Sequence, residues 1–314
     1  MADIEMRAVL AEELKKLMAN DDKVVVIDAD LAKASGTWGL RKDFPDRAID
    51  VGIAEQNMVS IAAGMSSYGY KPWVTSFTPF VSRRVCDQIT LSVCYAKQNV
   101  KIVGTDPGIC AEINGGTHMG LEDIGTLRSI ADLVIFEPVD TVQLRQALPV
   151  IAGLDKSVYI RLFRKKIADV FDENTYKFDM FKADTIQEGS DVSIFCSGIM
   201  VQETMLANEI LKKEGIKADI VNIHTIKPID EDAIVKSVAK TGCAITAENH
   251  NIHGALFSSV AEVLAKRKPT PCLPIGINDR FGEVGKLPYL KQVFHMTAED
   301  IVAKVKEVMA LKNN

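Results

Sequence analysis

The sequence predicts an α/β protein of two domains, each a parallel sheet covered by helices on both faces. Three observations predict it. Short β-branched apolar runs alternate with longer segments that carry apolar residues at helical spacing. A polar, irregular stretch from about Lys165 to Ser190 interrupts this alternation once. The chain is also long enough, at 314 residues, for two domains of ordinary size. The implied division is a first domain at 1–170, a linker at 171–190 and a second domain at 191–314.

In chain order, Met6, Leu10, Leu14 and Leu17 predict a helix from about Asp3 to Ala19, which Asn20-Asp21-Asp22 ends. Lys23–Ile27 is a buried strand, with Asp28 and Asp30 at its C-terminal end, where open parallel sheets bind their ligands. Met58–Met65 is the next helical run. Further strands are expected at Trp73–Ser76, Lys101–Thr105, Leu133–Phe136 and Val158–Leu162, with helices at Pro79–Lys97, Gly120–Ile130 and Thr141–Ala152. The second domain starts with the strand Asp191–Phe195. Strands at Ala218–Ile223, Cys243–Ala247 and Leu273–Ile277 follow, with helices at Val201–Glu214, Glu231–Ala239, Ala255–Ala265 and Ala298–Ala310.

Composition excludes several classes. A 47% hydrophobic and 25% charged chain is ordinary for a soluble globular protein. Net charge is −5 and no basic block stands out, so nucleic acid is not the expected partner. No apolar run approaches a membrane span and the N-terminus lacks a secretory pattern, which predicts a cytoplasmic protein with no membrane partner. The six cysteines are scattered without CxxC spacing, as are the five histidines. Reduced, buried thiols and no metal site in this chain are the expectation. No GxGxxG follows a strand, which leaves a dinucleotide site unsupported.

The stretch richest in chemistry is Asp50-Val51-Gly52-Ile53-Ala54-Glu55-Gln56-Asn57. The glycine allows a tight turn or close approach to a ligand. Glu55 falls at the start of a helix, where a negative charge is favoured. Around it stand Asp28-Ala29-Asp30-Leu31-Ala32-Lys33-Ala34-Ser35-Gly36, Trp73-Val74-Thr75-Ser76-Phe77-Thr78-Pro79-Phe80 and Asn114-Gly115-Gly116-Thr117-His118.

In this order and at these spacings the chain resembles the C-terminal half of a transketolase, from about the first helix to the end. Each motif alone is weak; together they are specific. The resemblance implies a thiamine diphosphate enzyme, with a pyrimidine-binding domain followed by a transketolase C-terminal-like domain. In that family a glutamate, here Glu55, hydrogen-bonds N1′ of the aminopyrimidine. The shared proton promotes the imino tautomer that deprotonates the thiazolium, and the cofactor then serves as electron sink. Phe80 matches the stacking partner of the aminopyrimidine and Phe77 a supporting wall, both near the start of the 79–97 segment. Phe suits a flat heteroaromatic ring because it offers a π face without competing hydrogen bonds. Many transketolases have a tyrosine where this chain has Arg83. Asp30 and Leu31 match positions that approach the cofactor.

Arg7, Ser35 and Arg164 match positions that bind the sugar phosphate, and guanidinium groups bind phosphate bidentately. By residue type alone, Ser35 is equally a turn residue before Gly36. His118 matches a contact to substrate hydroxyls and a proton relay, a role suited to an imidazole. Two positions depart from the family pattern. Asp106 stands where transketolases usually have His, and Asn114 where they usually have an Asp that contacts sugar hydroxyls. An Asp at the first position is closer to the deoxyxylulose-phosphate synthases, which use the same cofactor in one long chain.

The chain has no Gly-Asp-Gly segment of the kind that holds Mg²⁺ and the cofactor's diphosphate in related enzymes. The resemblance implies a split transketolase whose diphosphate and Mg²⁺ site belongs to a separate N-terminal subunit. A homodimer of this chain, inactive alone, would sit within a heterotetramer. The expected reaction is transfer of a two-carbon ketol unit between sugar phosphates. The alternatives are a deoxyxylulose-phosphate-synthase-like subunit, the β-type subunit of a 2-oxoacid dehydrogenase, and a non-catalytic assembly or regulatory paralogue. The second domain carries no catalytic motif, and Glu248-Asn249-His250-Asn251 is expected to be a loop at a strand end.

Overall fold

The computed structural model describes residues 4–312. Helix α1 (Met6–Asn20) buries Met6, Val9, Leu10, Leu14 and Met18, one apolar stripe at helical spacing. Asp3, the expected start of this helix, lies outside the described residues. Strand β1 (Val24–Asp28) is buried throughout. Then come α2 (Ala32–Ser35), α3 (Leu40–Asp43) and β2 (Ala48–Asp50), three elements too short for a periodic pattern to announce them. Helix α4 (Glu55–Ser67) and strand β3 (Lys71–Phe77) complete this part.

Segment 79–97 is not the single helix expected. A turn at Pro79 leads to a 3₁₀ turn at Arg83–Val85, followed by a π-helix over Gln88–Tyr95. Hydroxyl side chains compete for the backbone here. Ser82 donates to the Thr78 carbonyl and Thr90 to the Cys86 carbonyl, both at 2.7 Å. Phe77 consequently ends a strand, and Phe80 lies in the turn after it.

Strands β4 (Lys101–Thr105), β5 (Val134–Phe136) and β6 (Val158–Leu162) alternate with α5 (Asp123–Arg128) and α6 (Thr141–Gly153). Asp140 caps α6 by accepting from the Gln143 N–H at 2.7 Å. The second half supplies β7 (Asp184–Gln187), β8 (Val192–Cys196), α7 (Met200–Lys213), β9 (Ala218–Asn222), β10 (Thr225–Lys227), α8 (Glu231–Thr241), β11 (Ala244–Asn251), α9 (Leu256–Arg267), β12 (Cys272–Ile277), α10 (Leu287–Val293) and α11 (Ala298–Lys312).

Two sheets result. The larger runs β10-β5-β6-β4-β3-β1-β2 and is parallel except at β10. The smaller runs β12-β11-β8-β9-β7 and is parallel except at β7. Register brings Asp28 level with Asp50 and Thr75, so the C-terminal ends of β1, β2 and β3 line up. Strand β7 lies within residues 171–190, and β10 reaches from the second half onto the first sheet.

A buried ionic knot holds the two halves together. Arg161, fully buried on β6, donates to Asp123 at 2.8 Å and Glu137 at 2.6 Å. The same guanidinium donates to the carbonyls of Gly120 at 3.2 Å and Asn249 at 2.7 Å. Tyr159 adds its hydroxyl to Asp123 at 2.8 Å. All six cysteines are free thiols. Among the described residues no helix is long and apolar enough to cross a membrane.

Candidate active site at the strand ends

Asp50 organises the approach to the site. Its carboxylate accepts the backbone N–H of Asp30 at 3.0 Å and of Gly52 at 2.9 Å, and pairs with Arg41 at 2.8 Å. Gly52 has φ +74°, which a side chain would strain, and the turn it makes delivers the chain into α4. Asp28 lies deeper, held by the hydroxyls of Thr37 and Thr75. Burial pushes its pKa up to about 6. Asp30 is exposed at φ +60° and Leu31 is half-buried at the cap of α2. Both therefore line the lip of the strand ends.

Glu55 is the first residue of α4, and its carboxylate is buried. It accepts from Arg84 at 2.8 Å, and the Arg84 guanidinium lies 4.2 Å from the ring centre of Phe80. Phe77 and Phe80 tilt against each other at 6.1 Å, and the ring of His118 meets both edge-on at 5.8 and 5.3 Å. His118 ends a short 3₁₀ turn that Gly115, at φ +77°, makes possible. Its Nδ1 lies 3.0 Å from the Thr117 hydroxyl. Arg83 donates to Glu122 at 2.5 Å and to the Thr117 carbonyl at 3.4 Å, so it tethers this turn.

A second cluster adjoins the first. Arg7 and Arg164 both donate to the Ala34 carbonyl, at 3.1 and 3.4 Å. Ser35 is the next residue, and its buried hydroxyl has no hydrogen-bond partner. Arg7 also pairs with Glu5 at 2.7 Å, and Arg164 with Asp106 at 2.6 Å. The Arg164 guanidinium lies 5.2 Å over Phe77 and so joins the two clusters. Asp106 is fully buried at φ +53°, and burial pushes its pKa up to about 6 against the pull of Arg164. Asn114 is exposed and takes no part in these contacts.

Three features escaped the sequence reading. Arg84 looks like a solvated charge in a turn. Asp50 is hidden in the approach to Glu55. The 248–251 stretch is the buried end of β11 rather than a loop. Asn249 donates to the Pro107 carbonyl at 2.9 Å and to the Cys110 sulfur at 3.2 Å, and accepts the Ile109 N–H at 3.0 Å. The second domain thereby grips the loop that follows Asp106.

A buried carboxylate beside a half-exposed phenyl face suits a flat, nitrogen-bearing ring. Arg84 shows that one planar N–H group can sit over Phe80 and donate to Glu55 at the same time. Among the described residues no group of three or more His, Cys, Asp or Glu could hold a metal ion. Fold and site together define a two-domain α/β protein with a place for a planar, nitrogen-bearing ring at the C-terminal ends of its first sheet.

The chain belongs to the transketolase family, which depends on thiamine diphosphate. Its residues 2–169 match the transketolase pyrimidine binding domain and residues 181–301 the transketolase C-terminal domain. It is 48% identical to the 6-deoxy-6-sulfo-D-fructose transketolase subunit SqwH of Clostridium sp. (strain MSTE9), over 98% of this chain and 95% of that one. It is 33% identical to an apulose-4-phosphate transketolase subunit of Phocaeicola vulgatus (strain ATCC 8482), over 88% of each chain. A solved split-gene transketolase, an inactive β4 tetramer, superposes with a TM-score of 0.89 at 37% identity, covering 98% of this chain and 99% of that one.

Proposed function

We propose that this chain is the pyrimidine-binding subunit of a two-subunit transketolase. It moves a two-carbon ketol unit between sugars that end in a tetrahedral oxyanion. The observation that carries this reading is the pairing of Glu55 and Phe80 through Arg84, a buried acceptor and an aromatic face bridged by one displaceable planar group. When bound, thiamine diphosphate supplies the nucleophilic carbon and the electron sink for carbon–carbon cleavage.

Glu55 would accept a hydrogen bond from the aminopyrimidine of the bound cofactor. Phe80 would stack on the ring, Phe77 would back it, and Asp30 and Leu31 would border it. His118 projects from its turn towards the same face and takes the hydroxyls of the moving unit. Asp106 and Asn114, on the stretch that leads into this turn, are assigned to the substrate. Arg7, Arg164 and Ser35 hold the terminal oxyanion, phosphate or sulfonate. A partner subunit contributes the diphosphate and Mg²⁺ site, and this chain alone is inactive. The two relatives support this division, since each is named as a subunit and nearly matches this chain in extent.

The test mixes this chain with its diphosphate-binding partner, thiamine diphosphate and Mg²⁺, using xylulose 5-phosphate and ribose 5-phosphate. Activity is expected only in the mixture. Glu55→Gln should lower kcat by about 10²–10⁴-fold, the usual weight of acid–base assistance. Activity of this chain alone, or full activity of the Glu55→Gln mixture, overturns the reading.

A further inference from the structure

The cluster of Arg7, Arg164 and Ser35 carries more information than the presence of two guanidinium groups. Each cation already has a carboxylate: Glu5 at 2.7 Å from Arg7, and Asp106 at 2.6 Å from Arg164. The next basic residue, Lys165, is likewise paired with Glu112. The cluster therefore offers donors in fixed directions with little net positive charge. Hydrogen bonds to Glu5 and the Ala34 carbonyl occupy Nε and Nη1 of Arg7. The contacts to Asp106 and Ala34 occupy the same two nitrogens of Arg164. What remains for a ligand is the Nη2 group and one Nη1 N–H of each guanidinium, together with the unpartnered Ser35 hydroxyl.

We propose that Asp106, acting through Arg164, sets this site to accept a single negative charge, so that a sulfonate tail is preferred to a phosphate dianion. The inference rests on the proposed ketol transfer and names the substrate class for it. A phosphate monoester carries nearly two charges at pH 7, whereas a sulfonate carries one. A dianion set down beside the Asp106 carboxylate leaves the pocket with excess negative charge, and in a partly buried site that repulsion is weakly screened. A dianion also sheds more hydration and needs more donors in return. A sulfonate keeps the tetrahedral shape and three acceptor oxygens while avoiding both costs. Asp106 is fully buried and held at the Arg164 guanidinium, so its charge cannot be turned out to solvent.

The test compares two donors with the same carbon skeleton and different tails, D-fructose 6-phosphate and 6-deoxy-6-sulfo-D-fructose, in the complex with the partner subunit and one common acceptor. The wild-type complex is expected to show a KM about tenfold lower for the sulfonate. Asp106→Asn and Asp106→His should each move the ratio of kcat/KM values about tenfold towards the phosphate. A merely structural role for Asp106 would lower both donors together and leave that ratio unchanged, which overturns the inference. An equal or lower wild-type KM for the phosphate overturns it too. Glu5→Gln, at the more exposed arginine, should move the ratio in the same direction and gives a second reading should the Asp106 variants fold poorly. Hydroxypyruvate, a donor with no tail, separates the two levels. If the wild-type complex turns it over but shows no tail preference, only the tail assignment fails. If it does not turn it over, the proposed ketol transfer fails.

Discussion

Arg84 donates to Glu55 across 2.8 Å while its guanidinium carbon lies 4.2 Å over the Phe80 ring, so one side chain covers both groups assigned to the cofactor ring. A planar ring that stacks on Phe80 and bonds Glu55 must displace it. Arg84→Met should therefore tighten thiamine diphosphate binding to the assembled enzyme by a few-fold, read by titration calorimetry. In the free chain the same change leaves a buried carboxylate without its cation. Arg84 is 44% exposed, so solvent screens the pair and the expected loss is only about 1 kcal/mol in urea unfolding. Weaker cofactor binding by the variant would mean that Arg84 stays in place as a ligand contact.

Asn249 is a second-domain residue that serves the first. Its amide satisfies the Ile109 N–H and the Pro107 carbonyl, both buried in the loop after Asp106. Replacing it by Ala strands these groups, each at about 1–3 kcal/mol. Asn249→Ala should destabilise the chain by about 2–4 kcal/mol. It should also raise KM for tailed donors more than for hydroxypyruvate. An equal effect on both kinds of donor would remove the link between Asn249 and the tail site.

Much of this was legible in the sequence. Strands β4 and β6 have the bounds their apolar runs predict, because strands buried on both faces need no alternation. The resemblance to transketolases grouped Glu55, Phe77, Phe80 and His118, and the structure brings the three rings of that group into contact. Short edge strands were not legible: β2 and β10 are three residues each, below any period. Helix 79–97 misled because its apolar spacing is helical, while Pro79, Ser82 and Thr90 redirect the backbone. Arg84 and Arg161 were missed for different reasons. A turn arginine gives no signal, but Arg161 interrupts an otherwise apolar strand. A charge buried on both sides of a sheet requires partners.

Arg161 supplies the third prediction. One guanidinium balances Asp123 and Glu137 and bonds two backbone carbonyls, one from each domain. Arg161→Met leaves two buried carboxylates unpaired and should cost about 3–5 kcal/mol. Arg161→Lys should not restore stability, since an ammonium cannot reproduce the fork that meets four partners. Urea unfolding followed by both tryptophan fluorescence and circular dichroism checks this. A lysine variant as stable as wild type would show that charge alone, without the fork, joins the domains.

Glu248 gives a pH dependence whose sign can be worked out. Its carboxyl is buried at the start of α9, where it accepts the N–H groups of Leu256 at 2.7 Å and Phe257 at 2.8 Å. Those bonds favour the anion, but burial outweighs them and pushes the pKa from 4.5 up to about 8. The folded chain therefore binds this proton more tightly than the unfolded chain does. Stability from this group is full below pH 4.5 and is lost as pH rises towards 8. His224 and His250 act oppositely at lower pH, because burial lowers both to about 4 and keeps them neutral in the fold. Lys101, lowered to about 7 by burial, also opposes the trend above that pH. Subtracting the Glu248→Gln curve from the wild-type curve cancels these other groups. The wild type should lose stability relative to Glu248→Gln steadily between pH 4.5 and 8, measured as Tm across that range. Parallel curves would mean that the helix-end N–H groups, and not burial, govern this carboxyl.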